Sequence, residues 1–310
     1  MSHESTQALR AALLPHLTIL RVSGPDAAAF LQGQFSNDTR LLADGRTQLS
    51  ACNTSHGRVI ALARLRQTDD AIYALVPDEL ASSLLAHLRK FVLRAKVDPV
   101  HAHDLQVGAI ITGSADPGET LAKFEEGVLT MSPVPMSGAT EVVTFRYAPG
   151  REVVAAPPAA WRAISGLSLT RPSQSAANQW NLADIRSGLP QVFTAASGQF
   201  VPQMLNLDLI DGISFTKGCY SGQEIVARTQ NLGRIKRRTF RYTLAAGPAP
   251  EAMTGLYLDG SKVAEVLMSA AAAEGAELLA VANLDVRGRE LALHDGRRVT
   301  PAELPYGIDA

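Results

Sequence analysis

The order of segments in the first hundred residues constrains the fold most. LTILRV (17–22) reads as a strand. SGPDAAAFLQGQ (23–34) opens as a helix: Ser23 can cap it, Pro25 suits its first turn, and Asp26 sets a carboxylate near free amide groups. QLSAC and RVIALARL read as two strands joined by NTSHG, with Gly57 at the turn, and DAIYALV (70–76) reads as a third. In PDELASSLLAHLRKFVLRAKV, Leu80, Leu84, Leu88 and Phe91 recur at helical spacing behind a capping Asp78. A strand, a helix, three strands and a helix predict an α+β sandwich built on an antiparallel sheet.

Residues 101–170 are patterned less clearly. VGAIIT and EVVTFRYA are the strands to expect there, with SPVPMSGA as loop between them and a short helix near Trp161. SQSAANQWNLADIRSGLP reads as a helix that stops before Pro190, with Gly188 near its end. From Lys236 the texture changes to short strand-like runs: RTFRYTL, GLYLDG, KVAEVLMSA, AELLAVANL and ELALHDGRRVT. Asp259-Gly260 and Asp295-Gly296 are hairpin signals, so this part predicts a small antiparallel barrel or sandwich, with the boundary near 233–238.

The 310 residues are long enough for two or three domains, and a net charge of -1 argues against a generally basic nucleic-acid binder. The N-terminus lacks a signal-peptide pattern, no apolar run spans a membrane, and two cysteines make no disulfide framework. A soluble cytoplasmic chain with reduced thiols is the expectation.

One of those cysteines sits in FTKGCYSGQEIVAR (215–228). Lys217 precedes Cys219 by two positions, and SGQEIVAR can open a helix just beyond it. An ammonium and free helix amides both favour thiolate over thiol. The stretch therefore reads as a reactive or ligand-binding thiol, or else as a turn that holds a small semi-polar residue. No histidine stands beside it, so a Cys/His nucleophile pair is unsupported. His101 and His103 form a bare HxH, short of the four ligands of structural zinc, and no metal is expected.

The octapeptide KGCYSGQE (217–224) resembles the K-G-C-Y-x-G-Q-E signature of the YgfZ family of folate-binding proteins, distant relatives of the glycine-cleavage T-protein, an aminomethyltransferase. VSGPDAAAFLQGQFSND (22–38), WNLADIRSGLP (180–190), GQFVPQMLNLDLIDGISFTKGCYSGQEIVAR (198–228) and LPY (304–306) resemble further blocks of that family. The resemblance spans most of the chain and thins between about 100 and 175. It implies a three-part cloverleaf: two intertwined ferredoxin-like α+β domains in 1–235 (about 1–100 and 101–235) and a β-barrel in 236–310, around a channel for tetrahydrofolate or a derivative. It implies a functional thiol at Cys219 with Lys217 beside it. Trp180, Asn37, Asp38, Arg186, Tyr220, Gln223 and Glu224 would face the ligand. Iron–sulfur enzymes, including a tRNA-modifying one, would be the clients.

The sequence departs from its relatives at three places. T-proteins carry an aspartate pair shortly after the glycine of the N-terminal strand turn; here Arg58, Val59, Ile60, Ala61 and Leu62 follow Gly57, so no carboxylate is there to activate a folate nitrogen. Relatives commonly hold a glutamate where Arg186 stands, and Arg186 has donors only. His56-Gly57 replaces a Lys-Gly pair. Trp180 can stack on a pterin or aminobenzoyl ring, or anchor its helix in the core. Asn37 and Asp38 can contact ligand, or turn the chain.

Three functions compete. The first is a folate-binding accessory protein whose thiol serves iron–sulfur enzyme maintenance. The second is a folate-dependent aminomethyl transferase, opposed by Ala61 and Leu62. The third is an RNA-binding module using the basic run Arg234, Lys236, Arg237, Arg238 and Arg241, with Phe240 and Tyr242 its sole aromatics; near-zero net charge opposes it. Direct tRNA contact is not the expectation.

Overall fold

The computed structural model describes residues 10–111, 141–164, 174–231 and 235–308. The SPVPMSGA loop and Arg234 lie outside them.

The first sheet has the order β3 (Thr47–Asn53), β4 (Val59–Gln67), β5 (Ala71–Pro77), β2 (Leu17–Ser23), β6 (Asp98–His101), with every pairing antiparallel. Strand β5 is buried at all its residues, and its alternation shows why. Ile72, Ala74 and Val76 pack with Leu80, Leu84 and Leu88 of helix α2 (Asp78–Arg89), in a core shared with α1 (Ala27–Gln32). Ala71, Tyr73 and Leu75 face the other way, onto a second sheet.

That second sheet has the order β1 (Arg10–Leu13), β7 (Gln106–Ile111), β9 (Arg151–Ala156), β8 (Val143–Ala148). Phe145, Tyr147, Val153 and Ala155 meet the first sheet, while Val154 and Ala156 meet Trp161 of α3 (Pro158–Ile164). Gly108 is required here, since a Cβ on it would stand 2.6 Å from the Trp161 ring.

Strands β10 (Arg237–Leu244), β13 (Ala276–Asn283), β12 (Ser261–Ala271), β11 (Gly255–Leu258), β14 (Leu291–Ala292) and β15 (Arg298–Ala302) close into a barrel. Tyr242, Leu256, Val266 and Leu278 fill it. Met268, Leu279 and Val281 point outward into the core under the first sheet, with Phe200 and Leu205. Helix α4 (Gln174–Arg186) bridges the parts: it lies against β12 and β13, and Asn178 exchanges two 2.8 Å hydrogen bonds with the backbone of Ala271. Helix α5 (Gln223–Asn231) follows the cysteine stretch.

The structure corrects several local expectations. Ser23 caps no helix; its hydroxyl reaches the Asp98 carbonyl at 3.5 Å. The Asp26 carboxylate instead accepts from the Lys96 amide at 2.7 Å, tying the helix start to the chain before β6. Helix α2 begins at Asp78 with Pro77 at its N-cap and no side-chain cap, and it ends at Arg89, so Phe91 falls beyond it and is exposed. ELALHDGRRVT forms β14 and β15, paired across the Asp295-Gly296 turn that its hairpin signal marked, where Gly296 has φ 85°. Asp259 and Gly260, at φ 49° and 78°, make the tight turn between β11 and β12 that their identities signalled.

Candidate functional site

The cysteine loop is fastened to the segment after α1. The Ser214 amide donates to the Ser36 carbonyl at 3.0 Å and the Ser221 amide to the Gly33 carbonyl at 3.1 Å. Between them Lys217 runs inward. Its Nζ donates to the carbonyls of Gln32, Phe35 and Asn37 at 2.7, 2.6 and 2.9 Å, matching three donors to three acceptors. Burial lowers its ammonium to about 8. The ammonium that the sequence places near the sulfur is thus held by three backbone carbonyls. Gly218 and Cys219 are left exposed at the crest of the loop, with open space where a Gly218 side chain would be.

Two glycines let the loop sit this close to the β3–β4 turn. Gly222, at φ 78°, would push a Cβ to 2.5 Å from the Thr54 carbonyl oxygen and 2.6 Å from Gly57 Cα. Gly57, at φ 68°, would push one to 2.9 Å from Ile225 Cβ. Helix α5 starts one residue after Gly222, four after Cys219.

The other residues of the stretch separate. Tyr220 is buried, with Lys217 Nζ 4.9 Å from its ring centre and its hydroxyl pushed up to about 12. Gln223 and Glu224 form the first turn of α5, and Glu224 pairs with Arg228 in solvent at 3.0 Å. Cys52 is wholly buried in β3, where burial pushes its thiol up to about 12, so it shares no surface with Cys219.

Asn37 and Asp38 take the chain-turning role. Asn37 Nδ2 donates to the carbonyls of Leu49 and Asp211 at 3.0 and 2.7 Å, and its Oδ1 accepts from the Asp38 amide. Asp38 accepts from the Arg40 backbone and guanidinium and from Gln32, and these donors hold its carboxyl well below the usual carboxylate range. Neither side chain is open.

Trp180 sits apart from the thiol loop, where α4 enters the space between the two sheets. It is 3% exposed and meets the Tyr147 ring edge-on at 4.7 Å between centroids. Arg151 stands 4.8 Å from its ring, and Arg64 of β4 stacks 3.6 Å from the Tyr147 centroid. Asp184, one turn along α4, accepts from Arg151 at 2.7 Å and from the Tyr147 hydroxyl at 2.9 Å. Burial raises the Asp184 carboxyl against the pull of Arg151 and Arg64, and pushes Tyr147 up to about 12. Among the described residues Trp180 Nε1 has no acceptor. Nor does any hydrogen bond engage the Arg64 guanidinium there. Sequence reasoning overlooked Arg64, although an arginine inside the otherwise apolar VIALARL (59–65) was the available signal.

Arg186 turns to the barrel. Its Nε and Nη2 reach Glu277 Oε1 at 2.8 and 2.7 Å, and Arg241 binds the other oxygen of Glu277 at 2.7 Å. The two guanidiniums lower the Glu277 carboxyl. Among the described residues of the basic run the arginines are paired: Arg237 with Glu265 at 3.0 Å, Arg238 with Asp208 at 2.5 Å and Arg241 with Glu277, leaving Lys236 exposed. His101 bonds Thr18 at 2.7 Å and stacks on His103 at 3.8 Å. Among the described residues no three His, Cys, Asp or Glu side chains are placed to hold a metal, and no helix is long and apolar enough to cross a membrane.

No family model matches the chain. In fold it is similar to the glycine cleavage system aminomethyltransferase T of Bartonella henselae, with a TM-score of 0.74 at 15% identity over 96% of this chain and 86% of that one. That likeness agrees with the expected T-protein cloverleaf. In sequence it is 36% identical over 222 residues to the tRNA-modifying protein YgfZ of Colwellia psychrerythraea, covering 71% of this chain and 67% of that protein. It is 31% identical over 303 residues to the YgfZ of Edwardsiella ictaluri, covering 94% and 90%. Identity that extends over nine-tenths of both chains, on a T-protein fold, places this chain in the YgfZ family.

Proposed function

We propose that the chain binds tetrahydrofolate or a derivative at the junction of the two sheets and α4, and that it supports tRNA modification as an accessory protein through the exposed Cys219. The observation that carries the folate reading is the Trp180 indole, buried at that junction with its N–H unpartnered among the described residues. A buried N–H without an acceptor costs free energy that a bound ligand can return. The clients in this reading are iron–sulfur enzymes of tRNA modification, and the fastened loop offers them a thiol on a fixed crest. Lys217 then acts as a positioning residue. In the same reading residues 1–235 work as two α+β units and 236–310 as a barrel that braces α4.

Aminomethyl transfer is not part of this reading, because Val59, Ala61 and Leu62 fill the hairpin where a carboxylate is needed and are buried. Nor is direct tRNA binding, given the paired arginines of β10.

Titration with folinic acid, followed by tryptophan fluorescence, tests the ligand. Saturable change in the wild type, and affinity at least tenfold weaker in Trp180→Phe, is the expected result. Equal affinity in both would remove Trp180 from the site, and no saturable binding would remove the folate reading.

A further inference from the structure

Arg64 lies in β4 between Ala63 and Leu65, which pack into the core on the α2 side. Its own side chain goes to the opposite face, onto Tyr147. The charges buried there do not balance. Arg64 and Arg151 are 9% and 6% exposed, and Asp184, at 2%, is the one carboxylate with them among the described residues. Both oxygens of Asp184 are engaged, by Arg151 and by the Tyr147 hydroxyl. Arg64 therefore keeps its fork of N–H donors over a ring face, with no protein acceptor among the described residues. The Tyr147 ring and the nearby Asp184 charge support the guanidinium without satisfying its N–H donors, which leaves them open to an acceptor supplied by a ligand.

A second unsatisfied donor flanks the same ring. Among the described residues Trp180 Nε1 has no acceptor, and its indole meets the Tyr147 ring edge-on. At 186, meanwhile, there is no carboxylate to receive a ligand's amino group; the arginine there is locked to Glu277. The junction is thus rich in vacant donors and poor in vacant acceptors.

We infer that this chain reads its pterin by the acceptor edge: the Arg64 fork donates to the 4-oxo group, and Trp180 Nε1 donates to a further acceptor of the ligand. This rests on the folate reading. The 4-oxo oxygen offers lone pairs to the fork as guanine O6 does to an arginine. No step of bond making is involved. The consequence is a specificity: a ligand that presents a donor or a positive charge at that edge meets a guanidinium it cannot pair with.

Folic acid and aminopterin separate the possibilities. They differ at one position, 4-oxo against 4-amino, and the amino compound has the more basic ring. Binding of each to the full chain is measured by calorimetry. The wild type should prefer folic acid by about 10- to 100-fold, the span of one bidentate contact. In Arg64→Gln the preference should fall to within about threefold, because the amide offers an acceptor as well as a donor. Arg64→Lys, which keeps the charge and loses the fork, should lose most of the preference too. Removing a vacant buried charge should leave the melting midpoint of the ligand-free Arg64→Gln protein unchanged or raised. Equal binding of both ligands by the wild type overturns the inference while the folate reading stands. So does an undiminished preference in both Arg64 variants. Binding of neither compound, nor of folinic acid, overturns the folate reading and this inference with it.

Discussion

Of the four cations buried among the described residues, Arg64, Arg151, Lys217 and Arg238, two are treated in opposite ways. Lys217 gives its three protons to three carbonyls and is finished as a chemical group. Arg64 gives none of its protons to any described residue and rests on an aromatic face. The first arrangement holds a loop in one shape whatever is bound. The second leaves the interior incomplete until something arrives. Side by side they show how burial alone fails to separate a structural cation from a binding one; the count of satisfied donors does.

The largest effect bearing on this contrast concerns what the Lys217 anchor displays. In the native wild type Cys219 should alkylate freely and Cys52 only as the chain opens, with rates at least roughly 1,000-fold apart. Labelling of both thiols at similar rates in the folded protein would mean that the loop is not held as described. Next comes Lys217→Met. It strands three carbonyls and should destabilise the fold by about 3 kcal/mol, lowering the melting midpoint by roughly 5 to 10 °C. A midpoint within 1 °C or so of wild type would break the comparison at its first term. The pH dependence is smaller. The folded ammonium releases its proton near 8 and the unfolded one near 10.5, so the unfolded state binds the proton more tightly through that window. Stability should therefore rise between about pH 8 and 10.5, by something on the order of 2 kcal/mol, relative to Lys217→Met in parallel denaturant titrations. Arg64→Met should give the least: stability unchanged or raised by up to about 1 kcal/mol. A loss as large as that of Lys217→Met would make Arg64 another structural cation.

The sequence showed the sheets and barrel better than it showed the site. Leu80, Leu84 and Leu88 revealed α2 because a buried helix face repeats, and Asp259-Gly260 revealed a hairpin because few residues accept its backbone angles. β1 and β6, four residues each, are too short to show any period, and REVVAA of β9 went unread because both its faces are covered and it lacks alternation. The site depends on partners distant in the chain. KGCY marked Lys217 as special, yet its acceptors lie about 180 residues away, and nothing local to the motif announces backbone carbonyls as the target. Asn37 and Asp38 were legible as polar, not as bonded to Leu49, Asp211 and Arg40. The Arg186 departure was visible; that Glu277 of the barrel would claim it was not.

The contact of Gly57 with Gly222 has an evolutionary consequence. Each glycine is held in place by the other's nearness, so the first to be replaced would wedge the thiol loop off the β3–β4 turn, and the second replacement would then meet a gap already opened. Changes at the two positions should be strongly sub-additive in a double-mutant cycle. A lineage that loses either glycine relaxes the contact constraint on the other, which still keeps its positive φ. Drift at this point acts as a ratchet on the placing of the thiol loop against the β3–β4 turn.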